Sequence, residues 1–178
     1  MSETMKALDE LITLICSDLN ISKPKVEIDK EDKIFESDTQ LAAYDMENNI
    51  LYLKKNYITG LDLYFVLAHE LRHKYQVDNG LFDMENYKHS NECSLEEYNL
   101  QFVELDANAY AYLIMVSLFH RAPLYKGLSG YVRDKIMERV KEIYEDDMEK
   151  VINYDKILAK VHLISTFNAQ KICNIIKM

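Results

Sequence analysis

The chain is poor in the residues that break regular structure, with four glycines and two prolines in 178 residues. That scarcity argues against long flexible linkers and against an all-β fold built on many tight turns. Cysteine is equally sparse. Cys16, Cys93 and Cys173 are scattered, odd in number and form no C-x-x-C pair. This argues against a disulfide framework and fits a reducing compartment. No run of about 18 apolar residues occurs, so no membrane span is expected. The opening MSETMKALDE is polar and acidic and lacks the basic start and apolar run of a signal peptide. The expected location is therefore cytoplasmic. Basic clusters are also missing: the longest is Lys54-Lys55, against a net charge of −9. Duplex binding needs clustered Lys and Arg to displace counterions, so no direct nucleic-acid contact is expected.

What is present suits one globular domain spanning residues 1–178. The apolar fraction is 48%, enough to bury a core without disulfides or a structural metal. Three parts are expected within it: a helix plus small sheet over 1–58, a pair of helices over 59–122, and C-terminal helices over 123–178. Leu8, Leu11, Ile12, Ile15 and Leu19 recur at helical spacing, and Asn20 to Pro24 ends that helix. Val26 and Ile28 alternate with polar residues as in a strand, and Lys33 to Glu36 reads as a short second one. LAAYD and NILYLK flank the turn Met46-Glu47-Asn48-Asn49 and predict a β-hairpin. The fold class is therefore α+β, zincin-like and mostly helical, with a small N-terminal antiparallel sheet.

From Thr59 the period becomes helical again. Thr59 to Asp62 has capping-box-like spacing. Leu63, Val66, Leu67, Leu71 and Tyr75 form an apolar face, and the helix stops near Asn79-Gly80. Residues 81–93 read as a loop. Ser94 to Glu97 is a second capping box, opening a helix that should run to about His120 and stop at Ala122-Pro123. Two more helices, near 129–148 and 151–175, complete the expectation.

Residues 69–73 read His-Glu-Leu-Arg-His, the H-E-x-x-H pattern. On a helix, positions i and i+4 share a face. His69 and His73 can then ligate one zinc ion at about 2.0–2.1 Å. Glu70 is turned roughly 100° away. It reaches a water at the metal rather than the metal itself, and serves as general base. A chance match in a chain of this composition is on the order of one in a hundred.

A catalytic zinc needs a third protein ligand. The metzincin continuation is missing, since positions 76 and 79 are Gln76 and Asn79. The next helix supplies Glu104, which shares a small, polar face with Ala107, Asn108 and Ala111. Small residues let two helices approach closely, so a carboxylate there can reach a metal held by its neighbour. Glu96, Glu97, Asp106, Asp83 and His89 are also available. Asp106 lies about 200° round the helix from Glu104, so both cannot face the metal. Capping and the helix dipole account for Glu96 and Glu97.

The stretches VLAHELRHKYQ and VELDANAYAYL, with AAYDMENNILYL before them, resemble the ImmA/IrrE-like zinc metallopeptidases. The resemblance covers roughly residues 40 to 115. It implies His69, His73 and Glu104 as metal ligands and Glu70 as base. It also implies Asn108 as the residue that orients a ligand histidine, where gluzincins often carry Asp. Arg72 departs from the usual Gly, and Tyr110 from the usual Phe. Members of this family resemble a protease that inactivates DNA-binding repressors, so the resemblance implies a repressor-type protein substrate. The expected activity is zinc-dependent peptide hydrolysis. Tyr112, His120, Arg121 and Tyr125 are open candidates for the oxyanion donor. The alternative is an inactive zinc-holding module that sequesters a partner protein.

Overall fold

The computed structural model describes residues 3–29, 34–35, 40–54, 61–119, 121–123, 125 and 127–146. The helix expected over 151–175 lies outside them. Helix α1 (Glu3–Asp18) buries Leu8, Ile12, Ile15 and, just past its end, Leu19. It closes in a Schellman motif: Ile21 N–H donates to Cys16 O at 2.9 Å and Asn20 N–H to Ser17 O at 3.3 Å. Asn20 takes the left-handed φ of 52° that this turn requires.

Strands β1 (Lys25–Asp29), β2 (Ala42–Asp45) and β3 (Ile50–Lys54) form one sheet in the order β1-β3-β2. The hairpin β2–β3 is antiparallel as expected, but β1 runs parallel to β3, with Val26 opposite Leu51 and Ile28 opposite Leu53. The sheet is therefore mixed. Alternation of apolar and polar residues looks the same in both directions of pairing, so the sequence pattern could not report it. Leu51 and Leu53 of the central strand are fully buried. Ile34 and Phe35, inside the stretch read as a short strand, are not in one; Lys33 and Glu36 lie outside the described residues.

The hairpin turn is pinned by Asp45, whose Oδ1 accepts from Glu47 N and Asn48 N at 3.0 Å each, while Asn48 Nδ2 donates to its Oδ2 at 2.9 Å. The same four residues, Asp-Met-Glu-Asn, recur at 83–86 with the same bonds: Asp83 Oδ1 accepts from Glu85 N at 3.1 Å and Asn86 N at 3.3 Å, and Oδ2 from Asn86 Nδ2 at 2.7 Å. A carboxylate that caps its own turn produces one local shape wherever the tetrapeptide stands.

Helix α2 (Leu61–Asp78) carries the H-E-x-x-H motif and buries Leu63, Leu67 and Leu71. It too ends in a Schellman motif, with Gly80 at φ 66° and Leu81 N–H donating to Gln76 O at 2.7 Å. The helix expected over 94–120 is broken in two. Helix α3 (Leu95–Leu100) starts on a full capping box between Ser94 and Glu97. Gln101 then leaves helical geometry, at ψ 138°, before α4 (Phe102–Phe119) begins. Its amide explains the break: Nε2 donates to Lys88 O at 2.9 Å and Oε1 accepts from Lys88 N at 2.7 Å. These bonds satisfy the backbone of the preceding loop, a gain that periodicity does not display.

Among the described residues α4 is the one helix long and apolar enough to cross a membrane. Here it is the core helix. Eleven of its residues are buried, Ala107, Ala109, Ala111 and Tyr110 among them, as expected for a helix covered on all sides. Helix α5 (Gly130–Asp146) packs Val132, Ile136, Val140 and Ile143 inward. Buried side chains of α1, the sheet, α2, α4 and α5 join in one apolar cluster.

Candidate metal centre

Three donor-bearing side chains converge where α2 crosses α4. His69 and His73 lie on one face of α2, their rings edge to face with centroids 4.6 Å apart. Glu104, in the first turn of α4, is 1% exposed. The break at Gln101 places that turn against the motif helix, and the alanines at 107 and 111, both fully buried, let the helices approach. The Nε2 atoms of the two rings are 3.0 Å apart. Glu104 Oε2 lies 3.3 Å from His69 Nε2, and Oε1 3.5 Å from His73 Nε2.

These separations test whether a metal ion fits. A tetrahedral site with bonds of about 2.0–2.1 Å sets its ligand atoms about 3.3–3.4 Å apart. The observed separations lie around that value, each histidine facing a different oxygen of Glu104, and one donor atom from each residue lies within 4.8 Å of the others. Two imidazole nitrogens and one carboxylate oxygen are also the donor set of a catalytic zinc site. His69, His73 and Glu104 thus form a cluster that could hold a metal ion.

The electrostatics agree. Burial alone would raise the Glu104 carboxyl, but hydrogen bonding and charge from His69 and His73, with the Tyr98 phenol, bring it down to about 2. It is a carboxylate at every physiological pH. Glu70 behaves oppositely. Burial pushes its carboxyl up to about 7, with the Glu104 charge adding to the rise and His73 and the Tyr44 N–H working against it. The residue is only half-buried overall, yet its carboxylate is enclosed: Oε2 accepts the Tyr44 N–H of strand β2 at 3.0 Å. The two glutamates flanking the histidines therefore differ in proton affinity by environment rather than by type.

Several surrounding residues were not legible beforehand. The loop after α2 brings Tyr87 over the site, where its hydroxyl donates to Glu104 Oε1 at 2.9 Å and lies 3.1 Å from the Tyr98 hydroxyl. Phe82 stands edge-on to His73 at 5.8 Å, and Phe65 lies 6.3 Å from His69. Burial and the Glu104 charge push both the Tyr87 and the Tyr98 phenols up. The loop's only advance signal was its aromatics, Phe82 and Tyr87, spaced inside an otherwise polar segment.

Asn108 does not stand where the resemblance implied. Its Nδ2 donates to Asn99 Oδ1 at 3.4 Å. The ring partner of His73 is Gln76, whose Oε1 lies 2.9 Å from Nδ1. Gln76 is one turn further along the same helix face, so it reaches the ring without crossing between helices. Among the described residues His69 Nδ1 is buried without a hydrogen-bond partner. Of the suggested oxyanion donors, Tyr125 spends its hydroxyl on Asn108 O at 3.1 Å, Arg121 is exposed, Tyr112 is half-buried against the core, and His120 lies outside the described residues.

Asp106 and Arg72 form a separate buried arrangement behind the site. Arg72 Nε and Nη2 donate to the two oxygens of Asp106 at 2.7 and 3.0 Å. Arg139 of α5 adds bonds to Oδ1 at 2.9 and 2.8 Å. Burial would raise the Asp106 carboxyl, but these guanidiniums and the Gln76 amide hold it below the usual range. The non-glycine at position 72 is thus used: it neutralises a buried carboxylate. Comparison of the chain with protein families, with curated proteins and with solved structures finds no match.

Proposed function

We propose that this protein is a zinc-dependent peptidase of gluzincin type, with His69, His73 and Glu104 as metal ligands and Glu70 as general base. The observation that carries the reading is the convergence of the three donors at metal-ligand spacing, with a second, enclosed carboxylate on the next residue of the motif helix. A zinc ion held there would polarise a scissile carbonyl and acidify a water. Glu70, bonded at one oxygen to the Tyr44 N–H, takes the proton of the attacking water and hands it to the leaving amine. Phe65 and Phe82 stand beside the two histidine rings.

The two-imidazole, one-carboxylate donor set supports zinc as the ion, although iron, manganese or cobalt could occupy the same set. The resemblance to ImmA/IrrE-like metallopeptidases supports a protein substrate of the DNA-binding repressor type. The free thiols of Cys16 and Cys93 support a cytoplasmic setting. Arg72, the departure from the family pattern within the motif, is accounted for by its ion pair with Asp106 and so lends no support to the alternative of a sequestering module.

Glu70→Gln separates the two readings. With zinc still bound, this variant should lose hydrolysis of a protein or peptide substrate by about 100-fold or more. Unchanged hydrolysis would remove Glu70 from the mechanism. A biological effect that persists in the zinc-loaded variant, with no cleavage in the wild type either, would favour sequestration.

A further inference from the structure

Behind the metal ligands lies a chain of hydrogen bonds that decides which nitrogen of His73 carries its proton. Gln76 is fully buried. Its Nε2 lies 2.9 Å from Val103 O and 2.8 Å from Asp106 Oδ2. Both are acceptors. A carbonyl is always one, and Asp106 meets two guanidiniums that only donate. The amide nitrogen must therefore face them, because the flipped amide would set oxygen against two oxygens. Oε1 is then fixed against His73 Nδ1 at 2.9 Å. An amide oxygen can only accept, so Nδ1 is the donor.

We infer that Gln76 is a positioning residue that locks His73 in the Nδ1–H tautomer, leaving the Nε2 lone pair bare toward the metal centre. Asp106 sets the orientation of Gln76, and Arg72 of α2 and Arg139 of α5 set that of Asp106. The order matters because a neutral imidazole in water prefers the proton on Nε2, the atom a metal needs. Gln76 removes that competition before any ion arrives, and it stops the ring from turning. His69 has no matching support, since its Nδ1 lacks a partner among the described residues. In the metal-free protein His73 Nε2 is then the acceptor in the 3.0 Å contact between the two Nε2 atoms, and the one proton on His69 Nε2 is shared between it and Glu104 Oε2 at 3.3 Å.

The inference rests on the metal-centre reading, but one arm of its test does not need metal. In the metal-free full chain, two-bond proton–nitrogen correlation spectra of the histidine rings, recorded at mildly alkaline pH, report each tautomer. His73 is identified by the signals that His73→Gln removes. The expected spectrum shows His73 protonated at Nδ1 and His69 at Nε2. Gln76→Met keeps length and volume while deleting the acceptor. It should return His73 to the Nε2–H form and weaken zinc binding by about 10–100-fold, read by competition with a fluorescent chelator. His73 protonated at Nε2 in the wild type overturns the inference. So does a folded Gln76→Met that binds zinc as tightly as the wild type. Should Gln76→Met fail to fold, the wild-type spectrum decides alone. A wild type that takes up no zinc overturns the metal centre instead, while its tautomer spectrum still decides the role of Gln76.

Discussion

At the scale of single residues, the site region holds three carboxylates and one amide that the structure uses differently. Glu104 faces the histidines, Glu70 stands beside them, Asp106 faces away into a pair of arginines, and Gln76 links the two sides. Removing Asp106 leaves Arg72 buried and uncompensated. Asp106→Ala should therefore cost about 3–5 kcal/mol of stability in a urea titration. Arg139→Met, which removes the more exposed partner, should cost less. Equal losses in the two variants would deny the asymmetry. The cysteines offer a second contrast. Burial raises the Cys16 thiol from 9.0 to about 11, so at pH 8 only about one thiol in a thousand is ionised there. Alkylation of the folded chain at that pH should mark the half-buried Cys93 well before Cys16, by peptide mass analysis. Cys16 labelled as fast as Cys93 would contradict its burial. Because the folded thiol titrates above its ordinary 9.0, its contribution to stability is complete below pH 9 and fades as the pH climbs through 11.

At the scale of elements, helix ends follow local chemistry closely. Asn20 and Gly80 each occupy the left-handed position of a Schellman motif. A Cβ at position 80 would meet nothing within 4 Å, so the cost of Gly80→Ala is backbone strain alone, about 1 kcal/mol. Thermal unfolding should show that loss with zinc uptake unchanged; a lost metal site in this variant would mean that the helix end also shapes the histidine face. What could be read in advance divides along the same line. The motif helix, the hairpin, the Ser94 capping box and the Glu104 face were legible, because each depends on neighbours within a few residues. The break at Gln101 was not, since it depends on Lys88 in a loop thirteen residues back. The parallel pairing of β1 was hidden for a related reason: alternation records which face is buried but not the direction of the partner. Gln76 escaped notice because nothing local distinguishes a glutamine that binds across to α4 from one facing solvent.

At the scale of the whole molecule, the His69, His73 and Glu104 cluster lies across the packing of α2 on α4, two helices that both contribute to the apolar core. An ion held by both helices binds the folded chain and not the unfolded one. Zinc at a thousand times its dissociation constant should add about 4 kcal/mol, or roughly 10 °C in Tm for a chain of this size. His69→Ala should show no such rise. The apolar cluster is complete without the ion, so removal by a chelator should lower Tm while leaving the protein folded at room temperature; unfolding on chelation would instead make the metal structural.

The most direct measurement is the metal content of the purified full chain after zinc loading and removal of excess, for the wild type beside His69→Ala, Glu104→Ala and Glu70→Gln. The account predicts about one zinc per chain in the wild type and in Glu70→Gln, and a loss in the other two. An empty wild type, or a Glu104→Ala variant that keeps its zinc, would contradict it.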